Sequence, residues 1–204
     1  MNKDNSSGIP TYRNFIFDIA GVLLNWDSRP RELLELKGCG ANLKEMLNNK
    51  IWFELEKGTI SREEGFKKIG AMHNIPAATF RNFMEAAVAS LVVNSGCVRL
   101  LTELKSLEKK LYAVTNTPSE DYSYIRSKFS FWDKFDDVFI SGNLGMRKPD
   151  HEIFLHILKK HDLKAEETVF IDDTVENVEA ARALGITCIL FKDNQNCIEQ
   201  LRLL

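Results

Sequence analysis

No stretch of this sequence is apolar over anything like the roughly 18 residues that a membrane span needs. The polar start, Met1 to Pro10, holds no apolar core of a secretory signal. A strong charge of one sign is also missing. The formal net charge is −2, which leaves nothing to draw in a nucleic acid or an anionic membrane surface. The four cysteines, Cys39, Cys97, Cys188 and Cys197, form neither a CxxC pair nor a metal-ligand spacing. They read as structural or incidental thiols, which fits a reducing compartment. Internal repeats and low-complexity segments are absent as well. These exclusions leave a soluble, cytoplasmic chain of ordinary composition, 44% hydrophobic and 27% charged. Its 204 residues are enough to bury a full core in one or two domains.

What the sequence does contain is a series of short apolar runs, each ending in a polar residue. Phe15 to Phe17 suits a strand buried on both faces of a parallel sheet, with Asp18 at its carboxyl end and Gly21 turning the chain beyond. Leu111–Thr115, Asp137–Ser141, Thr168–Asp173 and Thr187–Phe191 repeat the pattern. Helical segments separate them: one through Val98, Leu101, Leu104 and Leu107, one from Pro118 and Ser119, one from Asp150 to Lys160 behind Pro149, and one stopping at Gly185. Strand–helix alternation of this kind predicts an α/β, doubly wound (Rossmann-like) parallel sheet. Between the first two strands the period changes. Ser28 and Pro30 mark a helix start, Leu43 to Leu55 carry a helical face broken near Asn48 and Asn49, and Ser61 to Glu64 is a capping box. Phe80, Phe83, Met84, Ala87, Val88 and Leu91 form one apolar face. The expectation is a core of residues 12–26 and 94–204, an all-helical insert over 27–93 without a strand, and a disordered leader over 1–11.

In a parallel sheet all strands present their carboxyl ends on one edge, where ligands bind. Asp18, Thr115 with Asn116, Lys148, and Asp172 with Asp173 therefore converge, although they lie far apart in sequence. Carboxylates from two strands can hold Mg²⁺, a hard ion that takes oxygen ligands. An aspartate can attack phosphorus. The Thr115 hydroxyl and the Lys148 ammonium can meet phosphoryl oxygens as charge develops. Each part also has a plainer reading. Asp172 and Asp173 could cap a helix, Lys148 could be a solvated loop lysine, and Thr115 to Pro118 could be turn chemistry. The histidines, His73, His151, His156 and His161, fall in helical segments and read as surface or partly buried, without a catalytic role.

Four segments resemble the haloacid dehalogenase superfamily: Phe17–Leu23, Val114–Thr117, Gly145–Asp150, and Phe170–Asp173 continuing to Asn177. The last two are similar to the branch that holds hexose-1-phosphate phosphatases and the phosphatase domain of epoxide hydrolases. The insert, including Phe53–Gly58 and Ile60–Ser61, resembles that branch's small helical cap of the C1 type. The resemblance implies Asp18 as nucleophile, with Thr115, Asn116 and Lys148 on the phosphoryl group. It further implies Asp18, the Ala20 carbonyl and Asp173 around Mg²⁺, with Asp172 behind them. The implied partner is a small phosphorylated metabolite, a sugar phosphate or a prenyl or lipid phosphate. One position departs from the pattern. Where these phosphatases usually carry a second Asp as general acid and base, this chain has Ala20, which implies a slow enzyme. Two other readings stay open. One is a scaffold that binds a phosphorylated ligand or partner with little turnover. The other is a different reaction, such as dehalogenation or a lyase or cyclase step on a prenyl phosphate. The paired acids Asp172 and Asp173 weigh against a dehalogenase. Trp26, Trp52 and Phe53 are the candidate aromatics for the mouth of the site.

Overall fold

A computed structural model of the chain describes residues 12–26 and 43–204; for Leu43 and Lys44 only the backbone is described. The expected leader and the helix start at Ser28 and Pro30 lie outside these residues. Five parallel strands form the main sheet: β1 (Asn14–Phe17), β4 (Lys110–Thr115), β5 (Asp137–Ile140), β6 (Thr168–Asp172) and β7 (Thr187–Leu190). Their order is β5-β4-β1-β6-β7, with β1 at the centre. The short apolar runs explain why. Strand β1 is buried along its whole length, and its residues alternate between two cores. Phe15 and Phe17 enter one cluster with Leu111, Ala113, Val169 and Ile171. Ile16 enters the other with Tyr112, Val114 and Phe170.

Helices cover both faces. On the first lie α5 (Ser95–Ser106), α6 (Ser119–Lys128) and α10 (Asn194–Leu203), contributing Leu101, Leu104, Ile125 and Leu201. On the second lie α7 (Ser141–Leu144), α8 (His151–Lys160) and α9 (Val175–Ala183), contributing Leu144, Ile153, Phe154, Ile157 and Ala181. This is the doubly wound α/β arrangement that the alternation predicts. Among the described residues, no helix is long and apolar enough to cross a membrane.

Between β1 and α5 the chain forms α1 (Leu43–Leu47), α2 (Lys50–Glu56), α3 (Arg62–Met72) and α4 (Ala77–Ala89). Asn49 caps α2 by accepting from the Trp52 N–H at 3.0 Å, so the break expected at Asn48 and Asn49 is present. Ser61 caps α3, with its Oγ accepting from the Glu64 N–H at 3.2 Å. Leu55, Phe66, Ile69, Phe80 and Met84 build a third hydrophobic cluster among these helices.

The expectation of a strand-free stretch to residue 93 needs a correction. Helix α4 ends at Ala89, and Leu91–Val93 forms β3, antiparallel to β2 (Leu24–Trp26). The reason lies far off in sequence. Strand β2 offers a free row of backbone donors and acceptors, and β3 pairs with it from Leu24↔Val93 to Trp26↔Leu91. Two carbonyls at this end, those of Ala89 and Leu91, accept from the Lys128 ammonium, the latter at 3.1 Å.

Candidate active site

The register of β1 and β6 sets the site. Phe17 pairs with Ile171, so Asp18 and Asp172 stand one step further on, level with each other at the carboxyl edge. Side chains level on adjacent parallel strands share a face, and a slip of one residue would separate them. The Asp18 N–H donates to the Ile171 carbonyl at 2.9 Å, which extends the ladder to this point.

Between the two acids lies Lys148. Its ammonium is 2.8 Å from Asp18 Oδ1 and 2.7 Å from Asp172 Oδ2. All three side chains are buried: Lys148 is 1% exposed, Asp18 9% and Asp172 0%. Burial alone would pull the Lys148 ammonium down, but Asp172 and Asp18 hold it above its ordinary value. Burial, then Asp172, pushes the Asp18 carboxyl well above the usual carboxylate range, and Lys148 is the counterweight. Asp172 fills its remaining sites within the protein. It accepts from the Thr174 N–H at 2.8 Å and from Asn177 Nδ2 at 3.0 and 3.1 Å.

Asp173 behaves differently. It is exposed on the cleft side, and loss of surrounding water, then Asp172, raises its carboxyl. Gly21 makes room for it. This residue has φ +92°, and a Cβ there would stand 2.1 Å from Asp173 Oδ2. One ligand oxygen each from Asp18, Asp172 and Asp173 fall within 4.8 Å of one another. With Asp172 already spent on Lys148, Thr174 and Asn177, the hard oxygens of Asp18 and Asp173 are the ones that fit Mg²⁺ or another oxygen-seeking cation.

Thr115 is buried at the end of β4, its hydroxyl 2.7 Å from that of Thr117. The Asn116 side chain is spent on bracing the Lys148 backbone: Nδ2 donates to the Lys148 carbonyl at 2.8 Å, and Oδ1 accepts from the Lys148 N–H at 2.9 Å. A contact between Asn116 and a ligand therefore falls to its backbone N–H. Above these residues opens a cleft of about 710 Å³. Asp18, Ala20, Thr115, Asn116, Lys148 and Asp173 all line it, so the structure brings the expected site residues together around one space.

The helices between β2 and β3 reach this cleft too. Phe53 and Glu56 of α2, with Asn48 before it, form part of its wall. Of the three candidate aromatics, Phe53 alone lines the cleft. Trp52 is buried and donates its indole N–H to Glu56 Oε1 at 2.8 Å, while Trp26 is 46% exposed. Glu56 Oε2 in turn accepts from Arg147 Nε at 2.8 Å, and the Arg147 guanidinium lies 4.0 Å from the Phe53 ring centre. The Ser141 hydroxyl, fully buried, donates to the Glu56 carbonyl at 2.6 Å. Residues Glu56, Arg147 and Ser141 carry no sequence signal of this role. They meet only in space, and the one hint is an acid four residues after Trp52, within reach of its indole N–H on the same helix.

The chain belongs to the haloacid dehalogenase-like hydrolases, whose family model matches residues 12–185. It is 35% identical over 201 residues to a sesquiterpene phosphatase of Aspergillus oryzae, covering 93% of this chain and 95% of that protein. It is 28% identical over 186 residues to a D-ribitol-5-phosphate phosphatase of Bacteroides thetaiotaomicron, covering 85% and 88%. Among solved structures it resembles a haloacid dehalogenase family enzyme of Bacteroides thetaiotaomicron in its magnesium complex, with TM-score 0.73 and 26% identity over 90% of this chain and 94% of the other.

Proposed function

We propose that this protein is a Mg²⁺-dependent, cytoplasmic phosphatase that hydrolyses a small phosphorylated metabolite through an aspartyl-phosphate on Asp18. The chain is a hydrolase of phosphoric monoesters. The observation that carries the reading is the buried Asp18 carboxylate, pinned by Lys148 on the floor of an open cleft beside Asp173. Asp18 Oδ2 is not engaged by Lys148 and attacks phosphorus. A bond from carboxylate oxygen to phosphorus forms as the bond to the ester oxygen breaks, and water then hydrolyses the acyl phosphate. Lys148, the Thr115 hydroxyl and the Asn116 backbone N–H meet the phosphoryl oxygens as they gain charge. Asp18, Asp173 and the Ala20 carbonyl would hold Mg²⁺, which when bound offsets the charge of phosphate and carboxylates crowded together. Asp172 holds Lys148 in place from behind.

Residues 12–26 and 94–204 act in this proposal as the catalytic core. Residues 27–93 act as a unit that covers the site, excludes water and selects the substrate. Similarity both to a sesquiterpene phosphatase and to a ribitol-phosphate phosphatase supports a prenyl phosphate or a sugar phosphate as substrate. Ala20 leaves the departing oxygen without a side-chain acid, which lowers the rate by roughly 10²–10⁴-fold. The test is phosphate release from a panel of sugar, prenyl and aryl phosphates, with and without Mg²⁺, in the wild type and in Asp18→Asn. Mg²⁺-dependent turnover that vanishes in Asp18→Asn is the expected result. Turnover surviving that substitution would refute the covalent route.

A further inference from the structure

One cation of the cleft wall has no part in the chemistry above. Among the described residues the cleft is lined by two cationic side chains, Lys148 and Arg147. Lys148 is committed to Asp18 and Asp172. The Arg147 side chain is 14% exposed, and its protein hydrogen bond is made through Nε alone, to Glu56. The flat guanidinium rests on the Phe53 ring at 4.0 Å. Glu56 is itself fixed, since its other oxygen accepts from Trp52 Nε1. The fork is thus held on one edge and one face, while Nη1 and Nη2 take no protein partner among the described residues.

A guanidinium stays charged at any pH the protein survives and presents its N–H groups in a fixed plane. When substrate fills the cleft, the water on those groups is displaced. A hydrocarbon chain laid against them would leave charged donors unpaired, the costliest way to bury a polar group. A ligand that supplies an oxygen acceptor there avoids that cost. Arg147 lines the same cleft as Asp18 and Lys148, but its guanidinium rests on Phe53 and Glu56 of α2 while the Lys148 ammonium is held on the strand ends, so the fork is placed to meet a part of the ligand other than the reacting phosphoryl group.

Building on the phosphatase reading, we propose that Arg147 is a specificity-determining residue that hydrogen-bonds an oxygen acceptor borne by the leaving group. The substrate is then a hydroxylated phosphate ester or a diphosphate, whose inner phosphate supplies the acceptor, and not a plain hydrocarbon phosphate. Glu56 and Phe53 are positioning residues that hold the fork in the cleft wall.

Three probes separate the possibilities: a hexose 1-phosphate, n-hexyl diphosphate and n-hexyl phosphate. Turnover with Mg²⁺ is measured for wild type, Arg147→Ala, Arg147→Lys and Glu56→Gln. Binding of the same probes to Asp18→Asn, with and without Arg147→Ala, is measured by calorimetry. Arg147→Ala should lower kcat/KM at least ~10-fold more for one oxygen-bearing probe than for n-hexyl phosphate, mainly through KM, with a matching loss in binding. The probe affected identifies the acceptor as hydroxyl or phosphate. Lysine should restore little, because it lacks the fork, and Glu56→Gln should show the same preference in weaker form. Equal losses on all three probes would reduce Arg147 to a structural clamp and overturn the proposal, as would losses under ~3-fold throughout. Absence of wild-type turnover would strike the phosphatase reading alone, since the binding arm still reports whether Arg147 discriminates.

Discussion

Lys148→Met tests whether the floor of the site is held together by charge. Methionine keeps much of the length and apolar stem of lysine but removes the ammonium that stands 2.8 Å from Asp18 and 2.7 Å from Asp172. Breaking a buried ion pair by deleting one partner costs about 3–5 kcal/mol, because a charge is left uncompensated. The lower end applies here. Asp172 keeps its bonds from Thr174 and Asn177, and Asp18 keeps the Ile19 N–H at 2.6 Å. At roughly 2–4 °C per kcal/mol for a chain of this size, a loss of ~3 kcal/mol lowers Tm by about 6–12 °C. The sign of the pH effect follows from Asp18. Its carboxyl is already raised by burial and by Asp172, and losing Lys148 raises it further. A raised carboxyl penalises the fold above its folded pKa, and the penalty disappears below its unfolded value. The deficit of the variant should therefore shrink between pH 7.5 and pH 5. Adding Asp18→Asn should recover ~1–2 kcal/mol, since a neutral amide needs no counter-charge. Thermal unfolding followed by circular dichroism in EDTA, at both pH values, reads all of this. A Tm loss under ~2 °C, or one that is the same at both pH values, would show that Lys148 does not offset buried charge.

Three further expectations are open to measurement. Ala20→Asp should raise kcat on alkyl phosphates by up to ~10²-fold while changing aryl phosphates little, because only the poor leaving group needs the proton; equal gains on both would remove the proton-transfer argument. Gly21→Ala forces a Cβ against Asp173 at a φ that only glycine adopts easily, so activity should require a higher Mg²⁺ concentration, and an unchanged Mg²⁺ titration would contradict the placement of Asp173 at the metal. Burial alone would raise the Asp136 carboxyl, but hydrogen bonds from Lys105, the Leu111 N–H and Lys110 hold it below the usual range. That contribution is present above the unfolded value near ~4 and is lost as pH falls through the lower folded one. The stability difference between wild type and Asp136→Asn should accordingly close in acid, and a difference that widens there would refute it.

The strand ends were legible because one physical rule places them. A buried parallel strand is a short apolar run, and its last residue lands on a common edge whatever its position in the chain. Asp18, Thr115 and Asp172 follow from that rule alone. Strand β3 does not. Leu91 continues the helical period of Phe80 to Val88, and Val92 and Val93 are exposed, so no local pattern marks the switch. Pairing with β2 across the whole intervening chain decides it. The Asn116 side chain was legible as a polar group at the right place but not in its task, because its partner is the backbone of Lys148 and not a ligand. Glu56 and Arg147 were hidden for the same reason as β3: each is ordinary in its own segment, and only their meeting over Phe53 makes a wall.

The β2–β3 ribbon has a consequence for how such a molecule can change over generations. Trp26 faces Leu91 across it, so from the sheet's side everything between these two residues is the turn of a hairpin. The entropy of closing that turn grows only with the logarithm of its length, and doubling it costs about 0.6 kcal/mol. The stem bears the connection: Leu24 and Leu91 are buried at its two ends, and Asn94 is tied back to the Leu23 carbonyl at 2.8 Å. A lineage can therefore trade one turn for another, long or short, without rebuilding the ends of β1 and β6. The wall that Phe53 and Glu56 lend to the cleft can in this way change while the strand ends that carry Asp18 and Asp172 stay as they are.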